Sequence, residues 1–280
     1  MASEVPVTGQ VPVTGPVQVT PHLRLERDGP VLRVWFNRPD VRNALTGDMV
    51  DGLQATFAAI RDDRSVRVVV LRGAGGTFCA GGDIKSMQTA SVEAMTASNR
   101  SFGALLQTID EAPQATLAVI EGAAIGGGIG FASVADITIA MHDAQFAMTE
   151  VMLGLVPAAI SPFVVRRIGL TAARRFAVSG ARLDGNQARA VGFAHEVASS
   201  PTDLDARTAA AIDQILKCAP GAVAETKRLM LRAATATSMT ELLNQAAASF
   251  ANAVVSTEGR EGTAAFSAKR KPSWVVKAGS

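Results

Sequence analysis

Two glycine-rich turns constrain this chain more than any other feature. One runs over 73–83 (GAGGTFCAGGD) and the other over 122–130 (GAAIGGGIG). Each follows a short, almost wholly apolar run, 66–71 (VRVVVL) and 116–120 (TLAVI), and each leads into a helical pattern. Apolar runs of this kind without polar alternation read as strands covered on both faces. Repeated strand–loop–helix units favour right-handed parallel crossovers and an α/β core. Glycine at a strand-to-helix turn also lets backbone N–H groups approach a ligand and converge on developing negative charge.

Around these turns the chain divides into three parts. Residues 1–21 (MASEVPVTGQVPVTGPVQVTP) hold the near-repeat Val-Pro-Val-Thr-Gly at Val5 and Val11, and read as a flexible arm. No basic residue precedes an apolar stretch there, so the arm is not a secretory signal. Residues 22–200 read as the core. Strands are expected at 31–36, 66–71, 116–120 and 137–140, and a helix after Thr46 or Asp48 carries Met49, Leu53, Phe57 and Ile60 on one face. Residues 201–280 read as a helical region. From 170 onward the periodicity predicts helices over 171–179, 184–191, 203–217, 220–233, 238–254 and 257–268.

Charge and residue counts remove whole classes of function. Lys+Arg 27 against Asp+Glu 25 leaves +2 overall, too balanced for a dedicated nucleic-acid or basic membrane-surface protein. Two cysteines, Cys79 and Cys218, and three scattered histidines, His22, His142 and His195, make neither a disulfide framework nor a metal site. No apolar run is long enough to span a membrane. The reading is a cytoplasmic protein without nucleic-acid or membrane partners. The glycine clusters themselves fail the G-x-G-x-x-G and P-loop spacings, and no G-x-S-x-G nucleophile turn exists. His195 reads as structural, and Lys269-Arg270-Lys271 as a solvated basic run.

What remains is backbone amides and one carboxylate. Glu150 stands among Met148, Val151, Met152 and Leu153, an apolar neighbourhood that would raise its pKa toward working pH. Amide donors with a desolvated carboxylate are the minimal set for proton transfer beside a thioester carbonyl. A buried capping glutamate is the other reading of the same residue.

Five segments in order, Asn37-Arg-Pro-Asp-Val-Arg-Asn-Ala-Leu45, Phe78-Cys-Ala-Gly-Gly-Asp-Ile84, Ala124-Ile-Gly-Gly-Gly-Ile-Gly130, Ala135-Asp-Ile-Thr-Ile139 and 146–157, resemble the enoyl-CoA hydratase/isomerase (crotonase) superfamily. The resemblance covers roughly 22–270. It implies a crotonase-like spiral of ββα units with a helical C-terminal trimerisation region, assembled as a homotrimer or dimer of trimers. It implies an acyl-CoA thioester substrate and no cofactor, coenzyme A being part of the substrate. Carried over residue by residue, the oxyanion hole is the N–H groups of Ala80 and Gly127, with Glu150 as acid/base. Coenzyme A contacts fall to Arg42, Ala44, Ala80, Gly81, Gly82, Asp83, Ile84 and Gly127.

One departure bears on the reaction. Many hydratases of the family carry a second glutamate three positions after the middle glycine, where this chain has Gly130. Single-glutamate members include the Δ3,Δ2-enoyl-CoA isomerases. The run Val156-Pro-Ala-Ala-Ile-Ser-Pro-Phe-Val-Val-Arg166 with Gly-Gly-Gly-Ile-Gly looks instead like the methylglutaconyl-CoA-type hydratases, which also have glycine there. The expectation is an enoyl-CoA hydratase acting on a 2-enoyl-CoA, possibly branched. The alternatives are the isomerase, and a thioester-binding member with little turnover. Ala115 replaces a usual proline without functional weight.

Overall fold

The computed structural model describes residues 15–84 and 88–276. β1 (Gly15–Thr20) pairs antiparallel with β2 (Leu23–Asp28), and β2 with β3 (Val31–Phe36). The arm expected over 1–21 does not hold over Gly15–Thr20. Residues 1–14 lie outside the described residues, but Gly15–Thr20 joins the sheet, with Val17 opposite Leu25. Proline and glycine density hid the alternation of Val17 and Val19 with Gln18 and Thr20, and β2 with its charged residues gave no run to recognise.

From β3 the pairing turns parallel. β4 (Val68–Gly73), β5 (Ala115–Ile120), β7 (Ile137–Met141) and β10 (Glu196–Ala198) follow in spatial order, giving a seven-stranded sheet β1-β2-β3-β4-β5-β7-β10 among the described residues. β5 is buried at every position, as its apolar run requires. A second, three-stranded sheet holds β6 (Ala123–Ile125), β8 (Gln145–Ala147) and β9 (Arg182–Leu183) in the order β6-β8-β9. Cys79 extends it by one bridge to Ala124.

The helices complete each turn of this winding. α1 (Gly47–Ile60) follows β3, and its buried face includes the expected Met49, Leu53, Phe57 and Ile60. After β4 and the Cys79 bridge comes α2 (Val92–Asp110); after β5 and β6 comes α3 (Gly127–Val134); after β7 and β8 comes α4 (Ser161–Ser179). One strand in the large sheet, one in the small sheet and a helix thus repeat three times, which is the expected spiral of ββα units. α1 packs on α2, α2 on α3 and α3 on α4. α4 begins ten residues earlier than the pattern suggested, because Gly169, at φ +75°, breaks the helix into two halves.

α5 (Gly185–Val191) precedes β10, and α6 (Pro201–Leu216) packs against β5, β7 and β10. α7 (Pro220–Thr235), α8 (Met239–Val255) and α9 (Thr257–Ser267) finish the chain close to where the periodicity placed them. Phe36, Phe78 and Phe131 are fully buried where β3, the first glycine turn and α3 converge, with ring centroids 5.3 Å (36–78) and 5.0 Å (36–131) apart. The floor of the site described next is therefore a packed aromatic cluster.

Candidate active site

The segment 79–83 is threaded between two backbone partners. Cys79 donates its N–H to the Ala123 carbonyl at 2.9 Å and accepts from the Ile125 N–H at 2.9 Å. On the other side, Leu45 N–H donates to the Gly81 carbonyl at 2.8 Å, and Asp83 N–H donates to the Leu45 carbonyl at 3.0 Å. In such a parallel bridge the residue between the two bonds turns its own N–H and C=O away from the partner. That residue is Gly82, and its N–H has no acceptor among the described residues.

Ala80 is differently placed from the expectation. Its N–H donates to the Arg42 carbonyl at 3.0 Å, so this amide is committed within the protein and is not open to a thioester oxygen. Gly82, grouped from the sequence only with the coenzyme A contacts, offers the open amide of this loop.

The loop that receives Ala80 is built with unusual backbone. Arg42 and Asn43 both lie in the left-handed region, at φ 53° and 58°. Asn43 is wholly buried: its Oδ1 accepts the Arg38 N–H at 2.8 Å, and its Nδ2 donates to the carbonyls of Ala74 at 2.9 Å and Thr77 at 2.5 Å. Asparagine tolerates this region better than most residues and here also supplies the bonds that offset its strain. The Arg38 guanidinium donates to the Ala44 carbonyl at 2.7 Å and to the Asp83 carboxylate at 3.2 Å. Arg38 and Asn43 were not singled out from the sequence, although both stand in the segment that carried the resemblance. Of the expected coenzyme A contacts, Arg42 and Ile84 are exposed, Ala44, Gly82 and Asp83 half-buried, and Gly81 buried.

The second glycine turn meets the first. Gly126, at φ +53°, donates its N–H to the Ala147 carbonyl at 3.0 Å and starts α3. A Cβ on Gly126 would stand 3.7 Å from the Gly81 Cα, so the two turns are in contact. Gly127, one residue further on, opens the helix, where an N–H has no intrahelical partner. It has no acceptor among the described residues. The open amides of Gly82 and Gly127 thus follow directly on the touching pair Gly81 and Gly126.

Glu150 begins a short 3-10 turn, Glu150–Leu153, just after β8. Its carboxylate sits on Gly126: a Cβ there would be 3.1 Å from Glu150 Oε1. Glu150 Oε2 is buried and has no hydrogen-bond partner among the described residues. Burial pushes the carboxyl above the usual carboxylate range, and a bond from its own backbone N–H only partly opposes this. The cause differs in one respect from the sequence reading. Met148 is buried, but Val151, Met152 and Leu153 are exposed, at 39%, 69% and 55%. The carboxyl is seated on the glycine turn, and the three residues that follow it do not cover it from solvent.

Gly130 faces no open space. A Cβ at that position would meet Ile160 Cγ2 at 2.8 Å and Leu106 Cδ1 at 3.0 Å. Aliphatic side chains from α2 and the start of α4 occupy the place where a second carboxylate would project. Burial drives the Cys79 thiol up to about 12, which leaves it no thiolate at neutral pH. His195 accepts the Thr138 N–H through Nδ1 at 2.9 Å, and burial, with Arg167 beside it, lowers its pKa. Among the described residues no three His, Cys, Asp or Glu side chains group as metal ligands.

Comparison with known proteins places this geometry. The enoyl-CoA hydratase/isomerase family model matches residues 26–277. AtuE of Pseudomonas aeruginosa is a solved structure with 50% sequence identity and a TM-score of 0.89, covering 91% of this chain and 100% of its own. The human mitochondrial enoyl-CoA hydratase domain-containing protein 2 is 31% identical, over 89% of this chain and 87% of its own. Human mitochondrial methylglutaconyl-CoA hydratase is 29% identical, over 90% and 75% respectively. With its spiral of ββα units, its paired glycine turns and the match along nearly its whole length, this chain is an enzyme of the enoyl-CoA hydratase/isomerase family, in the crotonase superfamily.

Proposed function

We propose that this enzyme adds water to a 2-enoyl-CoA thioester, with Glu150 as general acid/base and the amides of Gly82 and Gly127 as the oxyanion hole. The observation that carries the reading is the buried, unpartnered Oε2 of Glu150 beside a turn whose next amide is open. The thioester oxygen takes the two N–H groups. Glu150 accepts a proton from water as its oxygen bonds to C3, negative charge passes to the thioester oxygen, and the same carboxyl returns the proton to C2. A single donor in such a hole is worth about 3 kcal/mol of barrier. Arg42 and Ile84, exposed on the rim, and the 80–83 loop fit the coenzyme A side, while Arg38 braces Asp83 rather than leaving it to a ligand.

A second reading rests on Gly130. Leu106 and Ile160 fill the place of a second carboxylate, so Glu150 has no partner to orient water, and an isomerase would need none. Incubation with crotonyl-CoA, a 3-enoyl-CoA and 3-methylglutaconyl-CoA in deuterated water separates the two. Addition of water to either 2-enoyl thioester supports the hydratase. Double-bond migration in the 3-enoyl thioester without hydration of the others installs the isomerase. Deuterium exchange without net product identifies a binder with little turnover.

Assembly as a homotrimer or dimer of trimers is part of the same proposal. α8 has no buried residue, and Met239, Leu243, Phe250 and Val254 stand exposed along one face of it. No helix among the described residues is long and apolar enough to cross a membrane. The cytoplasm remains the proposed compartment on composition, although the human relatives named above are mitochondrial. No cofactor beyond the substrate's own coenzyme A enters this chemistry, and the balanced charge supports the absence of a nucleic-acid partner.

A further inference from the structure

The ring of Phe102 stands beside Gly127, the first residue of α3, next to the side chain of Leu45. A Cβ on Gly127 would lie 2.5 Å from Leu45 Cδ1, 3.3 Å from Phe102 Cζ and 3.6 Å from Cε1. The ring is locked from behind by an edge-to-face contact with Phe131, centroids 5.6 Å apart at 82°. It belongs to a stripe along α2. Gly103 faces Ala159, where an added Cβ would sit 3.9 Å from the Ala159 Cβ, and Leu106, one turn on, packs over Gly130. Toward the N-terminus the helix changes character. From Val92 to Arg100 every residue is exposed apart from the half-buried Met95, and Phe102 is itself half-buried. Phe102 is therefore the point at which the packed part of α2 gives way to its open part, and that point lies beside Gly127.

This placement has a consequence for anything whose carbonyl oxygen takes the Gly127 N–H. A carbonyl oxygen there brings the carbons beyond it close to Leu45 and the edge of the Phe102 ring. The exposed end of α2 leaves space there, and the ring sets how much of it can be entered. We propose that Phe102 is the specificity-determining residue of the acyl site, its ring limiting the length and branching accepted beyond C3. The inference rests on the thioester reading above, but not on whether the reaction is hydration or isomerisation.

The test compares Phe102→Ala, Phe102→Leu and Phe102→Trp with the parent. For each, kcat/KM is measured on crotonyl-CoA and 2-octenoyl-CoA, and Kd on butyryl-CoA and octanoyl-CoA by calorimetry. Differences of one or a few methylenes in an apolar pocket are worth about 10- to 200-fold. The ratio of long-chain to short-chain kcat/KM should rise at least about tenfold in Phe102→Ala and less in Phe102→Leu. It should fall in Phe102→Trp, with the Kd ratios moving in the same directions. Opposite shifts in the small and large variants are not produced by loosened packing, which would lower both substrates together. If Phe102→Ala does not fold, the Leu and Trp variants decide alone. Ratios unchanged within threefold in variants that melt like the parent overturn the assignment. A parent that binds the saturated thioesters but hydrates neither enoyl substrate removes the hydratase reading, and the Kd ratios then judge Phe102. A parent that binds none of them removes both.

Discussion

Glu150 carries two properties that pull in opposite directions. Its seat on Gly126 gives a carboxyl whose pKa is raised by burial, useful to a base that must also return its proton. The same burial makes the ionised form costly to the fold. A folded pKa above the ordinary 4.5 means that the carboxyl costs nothing below that value and costs its full amount once pH passes the folded value. Glu150→Gln removes both effects. Turnover should fall at least about a hundredfold, the lower end for loss of an acid/base. At pH 8 the variant should melt above the parent, and the gap should close toward pH 4. Parallel activity assays and thermal melts over that range check both, and a variant less stable than the parent at pH 8 would return Glu150 to a capping role. In the parent, the acid limb of kcat/KM should lie above the ordinary carboxylate range.

Among elements, the crossing of α2 over α3 decides what this site can become. Gly130→Glu puts a carboxylate at the family's second position, but its Cβ would be 2.8 Å from Ile160 and 3.0 Å from Leu106. Overpacking of a filled core costs about 1–3 kcal/mol, and an unpaired buried carboxyl adds to it. The variant should lose at least about 3 kcal/mol in denaturant unfolding and gain no hydration of crotonyl-CoA. Gly130→Glu with Leu106→Ala should recover part of the lost stability, because the truncation makes room. The same crossing explains what could be read in advance. The strands β3, β4 and β5 and the helices α6 to α9 were legible because apolar runs and 3.6-residue periodicity are local signals. Gly127 and Glu150 were legible as residue types. The direction of each amide was not: Ala80 is spent on Arg42 because Arg42 and Asn43 take left-handed backbone, and no spacing encodes that. The filling of the space at Gly130 depends on Leu106 and Ile160, 24 residues before it and 30 after it, and so lay beyond any local pattern.

At the scale of the molecule, α8 presents Met239, Leu243, Phe250 and Val254 to solvent, and none of its residues is fully buried. Exposed apolar surface of that kind marks an association face. Phe250→Arg should lower the mass measured by light scattering from that of the proposed trimer or hexamer toward the 29.0 kDa of one chain, while the circular dichroism spectrum is kept. An unchanged mass would place the interface elsewhere.

Arg67, just ahead of β4, bonds the carbonyls of Ile215, Cys218 and Trp274, the last 207 residues further along at 2.6 Å. Its side chain is nearly all buried, so the guanidinium needs those acceptors, and burial lowers its pKa as well. During synthesis at about 5–20 residues per second, the donor emerges roughly 10–40 s before its last acceptor. For the first part of that interval, until Ile215 and Cys218 have been made, the nascent chain holds a cation at the entrance to β4 with none of its three acceptors. The set of bonds that holds Arg67 is complete only once Trp274 has been made, so the ribosome's pace sets the earliest moment at which all three can form.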